Sequence, residues 1–413
     1  MQCSAAGIAL ATSSGNLLKA DSTPLSQPAR RMEGSIRTQA DVLVIGGGTA
    51  GTIAAIQAAR AGTKTLLVER GGQLGGTTTT GGVSFPGLFD AWGKQIIAGI
   101  GWELVKAAVA LDNGSLPDFS KIPGRHWQNQ VQVNQFVYAL LAEEACVKAG
   151  VAIAYYEFPL SVKAASGGWL VECVGPGTRR VVRCGQIIDC TGGASVVGML
   201  NLPRLREKET QPGSLLYKLG GVHPVGRKQL DRLYVHGADS STSVTLTKAN
   251  MDGRQSLLRK LRAQKGKSRL VHMQPETAHR ESYRIQGEIV ITVSDYTSGR
   301  VFEDAVCHAF YPVDLHTRGG VKPKPLARGT VPTVPLRALV PKGSRNLLVA
   351  GRCVSSDRLA NSALRVQASC MAMGQAAGAA AALAARTNTT PLDVPLKDIR
   401  ELLRKHGAIV PRA

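Results

Sequence analysis

Acidic side chains, aromatic rings and closely spaced cysteines are all scarce in this chain, and each shortage closes off a class of function. Only 5% of the 413 residues are aromatic, and 29 acidic residues stand against 50 basic ones. The eight cysteines are Cys3, Cys146, Cys173, Cys184, Cys190, Cys307, Cys353 and Cys370. No two are spaced as a zinc site, a dithiol redox centre or an iron–sulfur cluster, whose ligands sit at short intervals. They read as small buried hydrophobes, and no metal is expected. No apolar run reaches the length that spans a bilayer, and no repeat of fixed period is present. The 46 glycines lie in discrete loops rather than low-complexity tracts, so disorder is not indicated. With 44% hydrophobic residues, a chain this long is expected to be soluble and to bury a large core in two units.

What the chain does have is glycine placed directly after apolar strands. The run from Ala40 to Gly51 reads as a buried strand and a glycine turn, followed by a small-residue helix and a second strand, Thr65 to Glu69. Gly46 lets the first strand turn sharply, Gly48 lets the backbone approach a pyrophosphate, and Gly51 lets the helix pack on the sheet. An anion would then rest on the free N–H groups and positive end of the helix. Glu69 is placed to accept hydrogen bonds from ribose hydroxyls. Gly71 to Gly82 follows, a segment with few side chains to hold off a flat ligand. Two more strands end in glycine: Gln186 to Gly193, and Asn346 to Arg352. A long small-residue helix, Asn361 to Ala385, comes after the second of these. Three such junctions on one sheet suit a long extended dinucleotide, although the turn alone does not separate NAD from FAD.

These motifs, in this order, resemble the FAD-dependent oxidoreductase family whose flavin domain is of the glutathione-reductase type. The resemblance is to a bacterial branch related to the fumarate-reductase and heterodisulfide-reductase flavin subunits. It rests on Gly46, Gly48 and Gly51 with Glu69, on Gly75-Gly76-Thr77, on Thr191-Gly192, and on Tyr311 to His316. Val349 to Ser355 and the stretch from Arg365 to Gly378 complete it. The resemblance implies FAD held non-covalently, since no histidine lies between Gly71 and Asp90, where covalent relatives place one. It implies that Gly46, Gly48, Ala50 and Gly51 hold the pyrophosphate, that Glu69 with Arg70 holds the adenosine ribose, and that Gly75, Gly76 and Thr77 line the cofactor. Thr191 and Gly192 would lie alongside it, Gly351 and Arg352 beside the ribityl chain, and Arg365 would be among the residues that bind it. The helix beginning near Asn361 would point its N-terminus at the flavin N1 and C2 carbonyl. Gly193 stands where relatives carry an acid, which leaves the adenine-side contact open.

The fold class expected is α/β: a Rossmann-like FAD-binding domain, its parallel sheet joined to an antiparallel meander, plus an inserted mixed α+β substrate domain. The FAD-binding part is assigned to residues 40–201 and 331–390, the inserted cap to 202–330, and a tail to 391–413. Val131 to Ala149 reads as a helix feeding a parallel strand, Val151 to Tyr155. Residues 1–39 read as a signal-like or disordered segment and linker. Their apolar stretch lacks a preceding basic region, and Arg30-Arg31 falls after it. The protein is therefore expected in the cytoplasm, or in the periplasm if the true start lies upstream.

At the cleft over the flavin, the best acid/base candidates are Asp314 and His316. Alternating strand positions put both side chains on one face, and a carboxylate orienting an imidazole makes a proton acceptor near neutrality. His308 and Arg125-His126 are weaker candidates. The expected activity is hydride transfer between a small, hydroxylated, sugar-like substrate and flavin N5, with an external electron acceptor. Positive charge is concentrated after residue 200, where the net charge is +18 against +3 before it. Its densest stretch, Arg254 to Arg269, reads as a helix with Leu257, Leu258 and Leu261 on one apolar edge. The alternatives are flavin-dependent tRNA modification, for which this stretch is the only support, and a non-catalytic flavin- or nucleotide-binding protein. That stretch has no aromatic residue for base stacking, so nucleic acid is disfavoured as a partner.

Overall fold

The computed structural model describes residues 35–220, 230–264 and 268–412. Most of the leader-like segment, and Lys265 and Lys267 of the basic stretch, lie outside the described residues. Strand β1 (Ser35–Ile45) already begins at Ser35, because residues 35–39 pair with Arg179 to Arg183, so the expected linker ends earlier than residue 39. Helix α1 (Thr49–Arg60) follows the glycine turn and leads to β2 (Thr65–Glu69). The helix expected over Val131 to Ala149 is α2 (Gln135–Lys148), and it starts later than periodicity suggests. Asn134 caps it by accepting from the Phe136 and Val137 amides.

Next come β3 (Ala152–Tyr155) and the meander β4 (Phe158–Ala165), β5 (Gly168–Gly175) and β6 (Thr178–Asp189). A short helix, α3 (Ser195–Met199), follows. The middle of the chain forms a separate three-stranded antiparallel sheet from β7 (Gly213–Gly220), β8 (Asp231–Val235) and β9 (Arg269–Met273), with helix α4 (Ser243–Ala263) against it. The chain then returns through β10 (Leu347–Val349), α5 (Arg358–Leu364) and α6 (Gln367–Thr387).

The main sheet has seven strands in the order β3-β2-β1-β6-β5-β4, with β10 also paired to β6. Strand β6 serves two neighbours. Its first half is antiparallel to β5, and its last three residues run parallel to β10 while the whole strand runs parallel to β1. All three glycine-ending strands, β1, β6 and β10, are thus adjacent, and their carboxyl ends share one edge. The parallel strands are apolar without alternation because both faces are covered: Val42, Leu43, Val44 and Ile45 are all buried.

Helices α1 and α6 press together backbone to backbone. A Cβ on Gly374 would stand 2.2 Å from the Ala50 carbonyl oxygen, and one on Gly378 would stand 2.4 Å from that of Ala54. Gly374→Ala is therefore expected to destabilise the protein by about 1–3 kcal/mol through overpacking, read as a lower melting temperature in a thermal scan. An unchanged melting temperature would show that the two helices are not in contact. Helix α6 also has the length and mean hydropathy, 1.3, of a membrane-crossing helix, which a search for apolar runs in the sequence passes over. Most of it, 83% of the apolar window, is buried inside the protein, as in a core helix.

In two places the structure departs from the sequence pattern. The helix read as continuous from Asn361 to Ala385 is broken between α5 and α6, where Val366 is extended (φ −67°, ψ 142°). Arg365 is held there by its own side chain, and the Ala368 amide is taken by the Pro86 carbonyl instead of by the preceding turn. On α4, Leu257 is buried and Leu261 half-buried, but Leu258 is 46% exposed and belongs to the outer face with the basic residues. Leu257 and Leu261 are four residues apart and share a stripe, from which Leu258 is rotated away.

Candidate functional site

The shared carboxyl edge of β1, β6 and β10 opens into a cleft of about 1650 Å³ that reaches across to β7 and β8. The turn after β1 is built by close approach. Gly46 has φ +99°, and a Cβ there would meet the Cys190 carbonyl at 2.6 Å, while one on Gly51 would lie 1.8 Å from the Gly46 carbonyl. Gly51 thus acts beneath the surface, seating α1 on the turn. Gly48 is different: a Cβ there would meet nothing within 4 Å, because the residue faces the open cleft at the N-terminus of α1.

The loop carrying Gly75, Gly76 and Thr77 is pinned over this turn. The Gly75 amide donates to the Gly47 carbonyl at 2.9 Å, and a Cβ on Gly76 would touch the Gly48 Cα at 2.8 Å. Gly76 and Thr77 line the cleft, whereas Gly75 sits behind them. The loop is fixed to the start of α6 as well, since Thr78 donates to the Gln367 side-chain carbonyl and the Gln367 Nε2 donates to the Val83 carbonyl at 2.8 Å. It is an ordered wall and not a linker.

Glu69 ends β2 at the cleft. Its carboxylate accepts from the Gly47 amide at 2.6 Å and the Gly71 amide at 2.7 Å. Each oxygen keeps a further lone pair for a ribose hydroxyl. Burial raises the Glu69 pKa, and the two amides oppose that rise. Arg70 also lines the cleft, but it is paired with Glu276 at 3.1 Å.

On the next strand, Thr191 and Gly192 line the cleft as expected. Sequence reasoning missed the acid beside them. Asp189 is fully buried and accepts from the Thr191 amide and hydroxyl and from the Val196 and Val197 amides, so it shapes the turn and caps α3 from two residues before the Thr-Gly pair.

Gly351 and Arg352 follow β10. The Arg352 guanidinium donates to the Gly192 carbonyl at 2.7 Å, the His279 carbonyl at 2.9 Å and the Ser240 hydroxyl at 3.0 Å. It thereby ties the main sheet to the middle segment, and burial lowers its pKa. Asn361, expected to open a helix onto the ring, instead spends its side-chain amide on the Arg352 carbonyl and the Ser356 hydroxyl. The helix start that borders the cleft is that of α6, at Val366 and Gln367.

Asp314 and His316 both line the cleft, and their side chains meet. His316 Nε2 lies 3.0 Å from Asp314 Oδ2, and His316 Nδ1 lies 3.3 Å from the Tyr234 hydroxyl. Only His316–Thr317 is regular strand, yet the two side chains share a side. Burial lowers the His316 pKa, with the Asp314 hydrogen bond holding it up in part. Burial alone would raise Asp314, but the His316 hydrogen bond and the charges of His316, Arg365 and Arg280 outweigh it and lower its pKa. His308 is half-buried at the end of a strand away from the cleft, and Arg125 does not line it either. The His126 side chain lies outside the described residues.

The geometry fits a dinucleotide. It offers an anion seat at the α1 N-terminus with Gly48 leaving it clear, a ribose acceptor in Glu69, and glycine-walled space running on to Gly192 and Gly351. His279 adds an independent sign: it lines the cleft, is 8% exposed, and its Nε2 is buried without a partner among the described residues. Burial, with the charges of Arg352 and Arg70, pushes its pKa down to about 4, so it is a neutral group free to bond a ligand. Among the described residues no group of three or more potential metal ligands occurs.

Fold and cleft together define an α/β protein built around an extended dinucleotide cofactor. The family model described as FAD dependent oxidoreductase matches residues 41–264 and 233–403, and the chain belongs to that family. It is an FAD-dependent enzyme with FAD as its cofactor. No curated protein matches the sequence. Similar solved structures include a geranylgeranyl bacteriochlorophyll reductase-like protein from Thermoplasma acidophilum (14% identity, covering 89% of this chain and 83% of that one, TM-score 0.46). The anhydrotetracycline hydroxylase OxyS from Streptomyces rimosus is another (13% identity, 90% and 66%, TM-score 0.45). A flavoprotein/dehydrogenase from Cytophaga hutchinsonii is a third (15% identity, 89% and 83%, TM-score 0.45).

Proposed function

We propose that the protein transfers a hydride between a small hydroxylated organic molecule and non-covalently held FAD, with an external acceptor completing the cycle. FAD, when bound, supplies the hydride acceptor at N5. The chain's own residues do the rest. Gly46, Gly48 and the α1 N-terminus carry the pyrophosphate, Glu69 the adenosine ribose, and Gly192 and Gly351 the middle of the cofactor. The N-terminus of α6 supplies a positive dipole end for the negative charge that reduction creates. His316 takes the hydroxyl proton at Nδ1, and Asp314 holds the imidazole in place by accepting from Nε2. Residues 202–330 serve as the substrate-side unit in this reading.

One observation carries the proposal: the His316–Asp314 hydrogen bond of 3.0 Å lies in the same cleft as the cofactor cradle. A buried imidazole with a lowered pKa is neutral at pH 7 and ready to accept a proton. The resemblance to a branch linked with carbohydrate breakdown favours a sugar-like substrate.

The test is anaerobic mixing of the yellow holoprotein with a panel of sugars, sugar acids and simple alcohols. Bleaching of the flavin band by one class, reversed by a dye acceptor, is the expected result. A protein that purifies colourless and does not take up FAD overturns the reading.

A further inference from the structure

The end of the cleft that holds Asp314 and His316 is crowded with guanidinium groups, and one of them has no counter-ion among the described residues. Arg280 lines the cleft, half-buried, and Nη1 donates to the Pro212 carbonyl at 2.5 Å and the Ser214 hydroxyl at 3.0 Å. Those two acceptors aim the side chain. Its Nε and Nη2 have no hydrogen-bond partner, and no carboxylate lies within 4.0 Å of it, among the described residues. The Arg280 Cζ stands 5.4 Å from the centre of the Tyr234 ring, and the exposed Arg232 stands 5.3 Å from the same ring. The Tyr234 hydroxyl reaches His316.

Arg365 closes the group from the other side. Its Nη2 donates to the Asp314 carbonyl at 3.2 Å and the Gln211 side chain at 3.3 Å, and lies 3.9 Å from Asp314 Oδ2. Its Nε is buried without a partner. The acids nearby are largely committed elsewhere. Glu281 is turned to Arg284 and Arg358, Glu69 to backbone amides, Glu157 to Arg180 and Glu276 to Arg70. Asp231 also lines the cleft and makes an interaction of its own. Asp314 is shared between His316 and Arg365.

A half-buried guanidinium that keeps two donor nitrogens unused and has no carboxylate beside it is costly to hold, and a ligand anion removes that cost. Burial and the neighbouring Arg365 charge lower the Arg280 pKa, the direction expected of a cation awaiting its anion. The planar fork of an arginine matches a carboxylate in particular.

We propose that this end of the cleft binds the carboxylate of an anionic substrate, with Arg280 as the principal counter-ion and Arg365 and Tyr234 completing the cradle. The substrate is then a hydroxy acid or sugar acid and not a neutral alcohol. The proposal rests on the reaction assigned above to the Asp314–His316 pair.

The experiment is titration calorimetry on the holoprotein with malonate and benzoate, which have no hydroxyl to oxidise, against the neutral malonamide and benzamide. A flavin difference spectrum is recorded in parallel. The carboxylates are expected to bind and shift the flavin band, more weakly as salt rises, while the amides do neither. Arg280→Gln is expected to weaken carboxylate binding about tenfold or more, and Arg280→Lys to fall between. Arg259→Gln, on the outer face of α4, is expected to bind as the parent does. Equal binding of acids and amides, or parental affinity in both Arg280 variants, overturns the proposal. Failure of the flavin reading shows itself separately as a colourless protein, on which the calorimetric comparison still decides the carboxylate question.

Discussion

Gly48→Asp is expected to yield a folded but colourless protein. The residue has ordinary backbone angles (φ −70°, ψ −170°), and a Cβ there meets nothing. It also occupies the N-cap of α1, where an aspartate stabilises a helix by accepting from its first amides. The same carboxylate would stand in the seat of the pyrophosphate and repel it. Like charges forced together cost several kcal/mol, so FAD affinity is expected to fall by about 10²–10³-fold. Circular dichroism and a thermal melt check the fold, and an FAD titration checks the site. A yellow Gly48→Asp protein would mean that the cofactor does not cross this turn. Gly51→Ala gives the contrasting result: its Cβ cannot coexist with the Gly46 carbonyl 1.8 Å away, so fold and cofactor are lost together.

His316→Gln is expected to lower kcat by about 10²–10⁴-fold, the usual contribution of a positioned general base, while leaving the flavin bound. The pH dependence has a definite sign. The imidazole must be neutral to accept a proton, so activity is present above its pKa and lost as pH falls through it. Burial sets that pKa below the ordinary value of 6.5, which places the acid limb of kcat/KM below pH ~6.5. Asp314→Asn removes the carboxylate charge that, with its hydrogen bond, props the imidazole pKa up, and the acid limb is expected to move further down. Stopped-flow flavin reduction across pH measures both. Full turnover in His316→Gln would remove the residue from the chemistry.

The glycine-walled half of the cleft was legible because it is written in consecutive residues. A strand, a glycine turn and a helix state their contacts locally, and the three strand-to-glycine junctions take neighbouring places in the sheet because each strand is apolar on both faces. Ala50, Glu69, Thr191 and Gly351 could be read the same way. Arg352 was located correctly but not its role: nothing local says that its donors go to Gly192, His279 and Ser240. Arg280 and His279 were missed because no motif surrounds them. They matter only through burial and through neighbours distant in the chain, such as Ser214, Tyr234 and Arg365, 46 to 85 residues from Arg280. The break between α5 and α6 was invisible for a similar reason. Leu364 to Gln367 can all continue a helix, and tertiary bonds to Arg365 and to the Ala368 amide stop it. Asp314 and His316 were found because a spacing of two suffices to bring side chains together even in an irregular extended segment.

The clasp of α6 around α1 also imposes an order of events during synthesis. Ala50 and Ala54 leave the ribosome more than 300 residues before Gly374 and Gly378, the partners that cover them. Until those partners emerge, the nucleotide seat has only one of its two supporting helices, and its neighbour β6 lacks the strand Leu347–Val349. Loading with FAD is therefore expected only of the finished polypeptide, and nascent fragments that stop short of α6 are expected to be clients of chaperones instead of early holoenzymes.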